Sequence, residues 1–176
     1  MAETKLDEFF ADVKQRREQQ LSPLPNPDGI LMEWKGYTAG MIDGEGCFQI
    51  LKQKPRNSPR PAHQARLTVA NTNLEALQFL KRLWGGAILA KPLQIHDGKR
   101  VWLWITQGRR LEIILDALSL YLVIKQKQAE SIRCFLSEKR AGVKGRRLTT
   151  EIIERREMYR HLVKKFNDSG RKARIA

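Results

Sequence analysis

Two carboxylates, Asp43 and Glu45, close the run Thr38-Ala39-Gly40-Met41-Ile42-Asp43-Gly44-Glu45-Gly46, each followed directly by a glycine. Carboxylates are hard oxygen donors suited to divalent metal ions. Gly36, Gly40 and Gly44 fall four residues apart, so on a helix they stack along one face. Each costs about 1 kcal/mol against alanine inside a helix. Close approach of a second helix backbone is the gain that offsets this, as small-residue faces allow elsewhere. A carboxylate at the end of such a face is carried to whatever the partner helix presents. The pattern predicts a metal site shared between two helices.

Other familiar chemistries find no support. His63, His96 and His161 are scattered without ligand spacing, and Cys47 and Cys134 form no C-x-x-C pair, so neither a zinc site nor a disulfide framework is indicated. No apolar run reaches the ~18 residues of a membrane span, and the first twenty residues lack a signal layout. An intracellular, reducing compartment is the expectation. Lys and Arg number 33 against 19 Asp and Glu, a net charge of +14. Residues 47–106 hold ten basic side chains against two acidic, and 138–176 hold thirteen against five. Basic surfaces of this strength most often meet nucleic acid; solubility or ribosome association is the plainer alternative.

The elements that position the carboxylates follow from periodicity. Residues 4–20 carry a stripe of Leu6, Phe9, Phe10 and Val13 at helical spacing. Three prolines (Pro23, Pro25 and Pro27) then break the chain, so 1–29 reads as an N-terminal helical appendage and Pro-rich linker, and 30–176 as one domain. A helix is expected over 32–43, ending at Gly44 and Gly46. Strands are expected over 47–54 and 62–70, with a proline-rich turn between them. A helix over 74–84 is capped by Asn71 or Asn73. Strands over 87–95 and 99–106 are joined at Asp97-Gly98. Helical patterns at 109–120, 123–139 and 149–166 complete the chain, with Thr149 or Thr150 capping the last. The fold class is α+β: an αββαββα order whose four-stranded antiparallel sheet has one face under helices and one wet. Trp102 and Trp104 share a strand face, and core packing is their expected role.

Thr38–Gly46, together with Lys125-Gln126-Lys127-Gln128-Ala129 after an apolar segment, resembles the LAGLIDADG homing endonucleases over roughly residues 30–166. Thr38 departs from the usual Leu, Met41 departs as well, and Glu45 stands where Asp is equally common. One copy of the motif implies the single-motif, homodimeric type, with the two motif helices packed along a two-fold axis. Gly36, Ala39, Gly40 and Gly44 would then lie at the dimer interface, which suits a self-complementary contact.

The resemblance implies a site-specific, Mg²⁺-dependent endonuclease that makes a double-strand break in a long pseudo-palindromic duplex. Mn²⁺ or Ca²⁺ can stand in for Mg²⁺ in binding. Glu45 matches the metal-ligating acid, assisted by the Gly44 backbone carbonyl, while Asp43 is expected to end the helix or make a structural hydrogen bond. Lys125 matches a basic residue near the scissile phosphate; a solvated helix lysine is the alternative. Asn71 matches a polar residue that orders catalytic waters, or else is a helix cap.

DNA contacts are expected from the wet sheet face, whose outward positions are Cys47, Gln49, Leu51 and Gln53, then Gln64, Arg66 and Thr68, with Leu89 and Lys91 on the second hairpin. Gln suits adenine and Arg or Lys suits guanine in the major groove. Lys52, Lys54, Arg56 and Arg60 are expected on phosphates. Arg146, Arg147, Lys164 and Lys165 form either a flanking phosphate clamp or a solvated face. Rival readings on the same fold are an intron RNA maturase and a non-catalytic DNA-binding regulator.

Overall fold

The computed structural model describes residues 23–54, 61–96, 98–141 and 149–172. A short 3₁₀ turn at Pro27–Gly29 leads into α1 (Met32–Glu45), β1 (Gly46–Gln53), β2 (Ala62–Asn71), α2 (Leu74–Trp84), β3 (Ala87–His96), β4 (Lys99–Gln107), α3 (Gly108–Leu118), α4 (Gln126–Ala141) and α5 (Thr150–Lys172). The strands form one sheet in the order β1-β2-β4-β3, antiparallel throughout. The expected α+β architecture is the observed one.

Helix α1 differs from expectation at its end. It runs through Gly44 and stops only at Gly46, whose N–H bonds to the Ile42 carbonyl. A Cβ placed on Gly46 would lie 2.4 Å from that same oxygen, so no side chain fits there. The helix therefore turns into β1 with no linker. Along β1, Phe48 and Ile50 are buried while Gln49 and Gln53 are exposed. On β2, Ala65, Leu67 and Val69 are buried between half-exposed neighbours. This is the period of a sheet with one covered face.

Asn73 caps α2, its Oδ1 accepting from the Ala76 N–H at 3.2 Å. Gly85 ends the helix at φ +69°, where a Cβ would also press 2.7 Å from the Arg110 guanidinium. Thr149 caps α5 by accepting from the Ile152 N–H. The helices α1–α4 close over one sheet face around Ile42, Phe48, Leu67, Trp84, Trp104, Ile114 and Phe135. Trp104 is fully buried, as expected, and donates to the Gly85 carbonyl at 2.8 Å. Thr38, the departure from Leu, is also fully buried: its Oγ1 accepts from the Trp84 indole at 2.9 Å and donates to the Trp34 carbonyl at 2.7 Å. Both hydrogen-bonding roles of the hydroxyl are used, so the polar group costs little inside.

Helix α5 extends past its expected end and packs on the edge strand β1. Asn167 donates to the Phe48 carbonyl at 2.9 Å, occupying part of an edge that would otherwise stay open. Nearer the start of α5, the Glu157 carboxylate takes the Lys52 ammonium at 2.6 Å and the buried His63 Nε2 at 2.9 Å. Hydrogen bonding from Lys52 leads the causes that hold the Glu157 carboxyl down at about 2, from an ordinary 4.5. A lowered folded-state value means the contact stabilises the fold above the unfolded carboxyl's range and is lost as acid protonates it. Urea unfolding of wild type and Glu157→Gln across pH should therefore show a gap that is full above about pH 5 and closes toward pH 2. A gap independent of pH over that window would remove the carboxylate from the latch.

Candidate acidic site and nucleic-acid interface

The acidic end of α1 is built from three parts of the chain. Asp43 accepts from the backbone N–H groups of Val123 (2.8 Å) and Ile124 (3.1 Å) through Oδ2, and of Lys125 (2.9 Å) through Oδ1. This ties the α3–α4 loop to the helix end. The Lys125 ammonium in turn donates to the Asp43 carbonyl, placing a cation where the α1 dipole is negative. Asp43 is thus structural, and Lys125 lies against the turn that carries Gly44 and Glu45. Both of these are exposed, and the Gly44 carbonyl belongs to the last turn, whose oxygens lack intrahelical donors.

Asn71 reaches the same end of the sheet, two residues beyond the Gly46–Val69 pair. Its Oδ1 accepts from the Asn73 N–H at 2.8 Å, so that oxygen is committed to the turn entering α2. Among the described residues, no group of three His, Cys, Asp or Glu side chains could hold a metal. The described residues bring a single uncommitted carboxylate to this point.

Among the described residues, the glycine face is bare. A Cβ on Gly36, Gly40 or Gly44 would meet no atom within 4 Å. Ala39, expected beside them at an interface, is instead 1% exposed in the chain's own core. It shares the buried stripe of Thr38 and Ile42, because residues three apart lie on the same helix side. Next to the bare face, the loop held by Asp43 exposes Leu120 (93%), Val123 (80%) and Ile124 (72%).

On the sheet face turned away from the helices, register groups side chains into rows. Gln49 pairs with Arg66 and Arg66 with Gln107; Leu51 pairs with Gln64, and Gln53 with Ala62. Cys47 pairs with Thr68, Thr68 with Ile105, and Ile105 with Ala87. Leu89 joins Leu103 and Ala70. The structure thus brings Gln49, Leu51, Gln53, Gln64, Arg66, Thr68 and Leu89 onto one face.

No protein-family model and no curated protein matches the chain. Solved structures do match. The homing endonuclease I-TnaI superposes with a TM-score of 0.58 at 17% identity, over 84% of this chain and 99% of that one. The group I intron-encoded homing endonuclease I-CeuI, solved with DNA, gives 0.57 at 16% identity over 78% and 73%. The homing endonuclease I-CvuI, solved with the I-CreI target in Mg and with its own target in Ca, gives 0.54 at 18% over 77% and 95%. The chain has the LAGLIDADG endonuclease fold.

On this LAGLIDADG scaffold several assigned residues sit elsewhere than expected. Lys52 is not on the open face: it pairs in register with buried His63 and is held by Glu157 under α5. Lys54 is exposed just past β1. Lys91 falls where the β3–β4 register shifts, so alternation does not fix its side. Arg56, Arg60, Arg146 and Arg147 lie outside the described residues, as does 1–22. Leu103, Ile105 and Gln107 went unassigned, although alternation from Trp102 and Trp104 places them on the open face. Asp43 makes the structural hydrogen bond expected of it, with the α3–α4 loop as the partner that the sequence did not reveal. Asp43→Ala removes the acceptor of three N–H groups and should lower stability by about 1–3 kcal/mol in urea unfolding. Wild-type stability in that variant would mean the loop is anchored by other contacts.

Proposed function

We propose that the chain is a homodimeric, Mg²⁺-dependent, site-specific DNA endonuclease. The observation that carries this reading is the bare face of α1 ending in an exposed Glu45. Gly36, Gly40 and Gly44 leave room for a second helix, and Leu120, Val123 and Ile124 supply apolar surface beside it. A two-fold contact there presents Glu45 twice, with the Gly44 carbonyls adjacent. Two carboxylates and nearby carbonyl oxygens suit Mg²⁺, which keeps waters and phosphate oxygens as its other ligands. Bound there, the ion supplies an activated water and charge stabilisation for phosphodiester hydrolysis.

The chain's own groups do the rest. Lys125, held against the Asp43 carbonyl, is a cation poised to offset charge building on the scissile phosphate. The amide nitrogen of Asn71, whose oxygen is engaged by Asn73, is left to orient water. Gln49, Arg66 and Gln64 offer the donors and acceptors suited to major-groove base edges. Two such sheets related by a two-fold axis call for a pseudo-palindromic target on the order of 20 bp. The scaffold is that of enzymes solved with DNA, and the +14 charge favours a phosphate partner. Intron homing is the biological setting this implies.

Duplex binding and cleavage by Glu45→Gln, measured side by side, test the reading. Binding is expected to persist while cutting in Mg²⁺ falls below detection. Undiminished cutting would take Glu45 out of the reaction.

A further inference from the structure

The rows of the open sheet face change chemistry with distance from Glu45. The first row is Ala70, Leu103 and Leu89, and the second is Cys47, Thr68, Ile105 and Ala87. Apart from Ala87, which is buried, these side chains are half-exposed on the face opposite the helices. The Thr68 hydroxyl is their only strong hydrogen-bonding group, since a thiol is a weak one. Amide and guanidinium side chains begin only in the third row, Gln49, Arg66 and Gln107. There the Gln107 Oε1 is buried with no hydrogen-bond partner among the described residues.

Resting on the proposed nuclease reading, we infer that this face reads thymine C5-methyl groups beside the cut and hydrogen-bonding base edges only farther out. In the major groove the thymine methyl is the apolar feature that leucine, isoleucine, alanine and a threonine methyl can recognise. An amino or carbonyl edge pressed against Leu103 and Ile105 would lose its water with nothing in return. The occupant is a B-form duplex, because the apolar rows continue directly into the polar row and the 47–106 segment around them carries ten basic against two acidic residues. Specificity is then divided along each strand. Near the axis it rests on shape and methyl groups; in the outer rows it rests on adenine and guanine edges opposite Gln49, Arg66 and Gln107.

The test uses the full chain in Ca²⁺ and two duplex pools randomised over about two helical turns. One pool is made with thymidine and the other with deoxyuridine, which lacks only the methyl. Retained duplexes from the thymidine pool are expected to be enriched in thymine at inner positions. In the deoxyuridine pool that enrichment should fall by about fourfold for each methyl lost, with outer purine preferences unchanged. Ile105→Gln should shift the inner preference from thymine toward adenine. Equal inner preferences in both pools, a guanine preference there, or an unchanged thymine preference in Ile105→Gln would overturn the inference and leave the nuclease reading standing. Retention from neither pool would overturn the nuclease reading as well.

Discussion

Helix α1 passes into strand β1 at Gly46 without an intervening residue, and the site depends on that junction. The Gly46 N–H bonds to the Ile42 carbonyl, and the missing Cβ is what lets the chain bend so close to it. Glu45 consequently stands one residue before the Gly46–Val69 pair, at a fixed offset from every row of the open sheet face. A longer turn would let the acid drift against that face. The contacts around the junction keep it rigid. Thr38 and Trp84 pin the helix to α2, and Asp43 and Lys125 exchange hydrogen bonds that lock the α3–α4 loop under the helix end.

The helix itself serves two surfaces at once. Thr38, Ala39 and Ile42 bury one side in the chain's core, while the opposite side carries glycines with open space around them. Apolar character on both sides is what a helix shows when it is buried on both sides. Among the described residues, only the first is covered. The acidic chemistry has the same incompleteness: Asp43 is committed to backbone donors, so the described residues of a single chain bring one free carboxylate to the helix end. In the proposed dimer, a second copy would answer both shortages.

Much of this was legible in the chain. The alternation of β1 and β2 identified the open face because a strand's two sides differ in every second residue, and the Asn and Thr caps marked α2 and α5. Gly44 and Gly46 together mark the end of α1 in the sequence, but only Gly46 is sterically forced, so the helix runs on to Glu45. Ala39 was grouped with the glycines by size, although its spacing from Ile42 puts it on the buried stripe. Lys52 read as a phosphate contact because its partner lies far along the chain: Glu157 reaches β1 and β2 from 94 residues past His63. Contacts across such separations leave no local pattern. Alternation along β4 did hold the information for Leu103, Ile105 and Gln107, once the two tryptophans had fixed the inner side.

The most direct test of the central claim is sedimentation equilibrium of the chain with and without bound duplex, run also on Gly40→Leu. Wild type should associate as two chains and bind one duplex per pair, whereas Gly40→Leu should fold but sediment as a single chain. A wild-type protein that stays single on DNA, or a Gly40→Leu chain that still pairs, would contradict assembly through the bare face of α1.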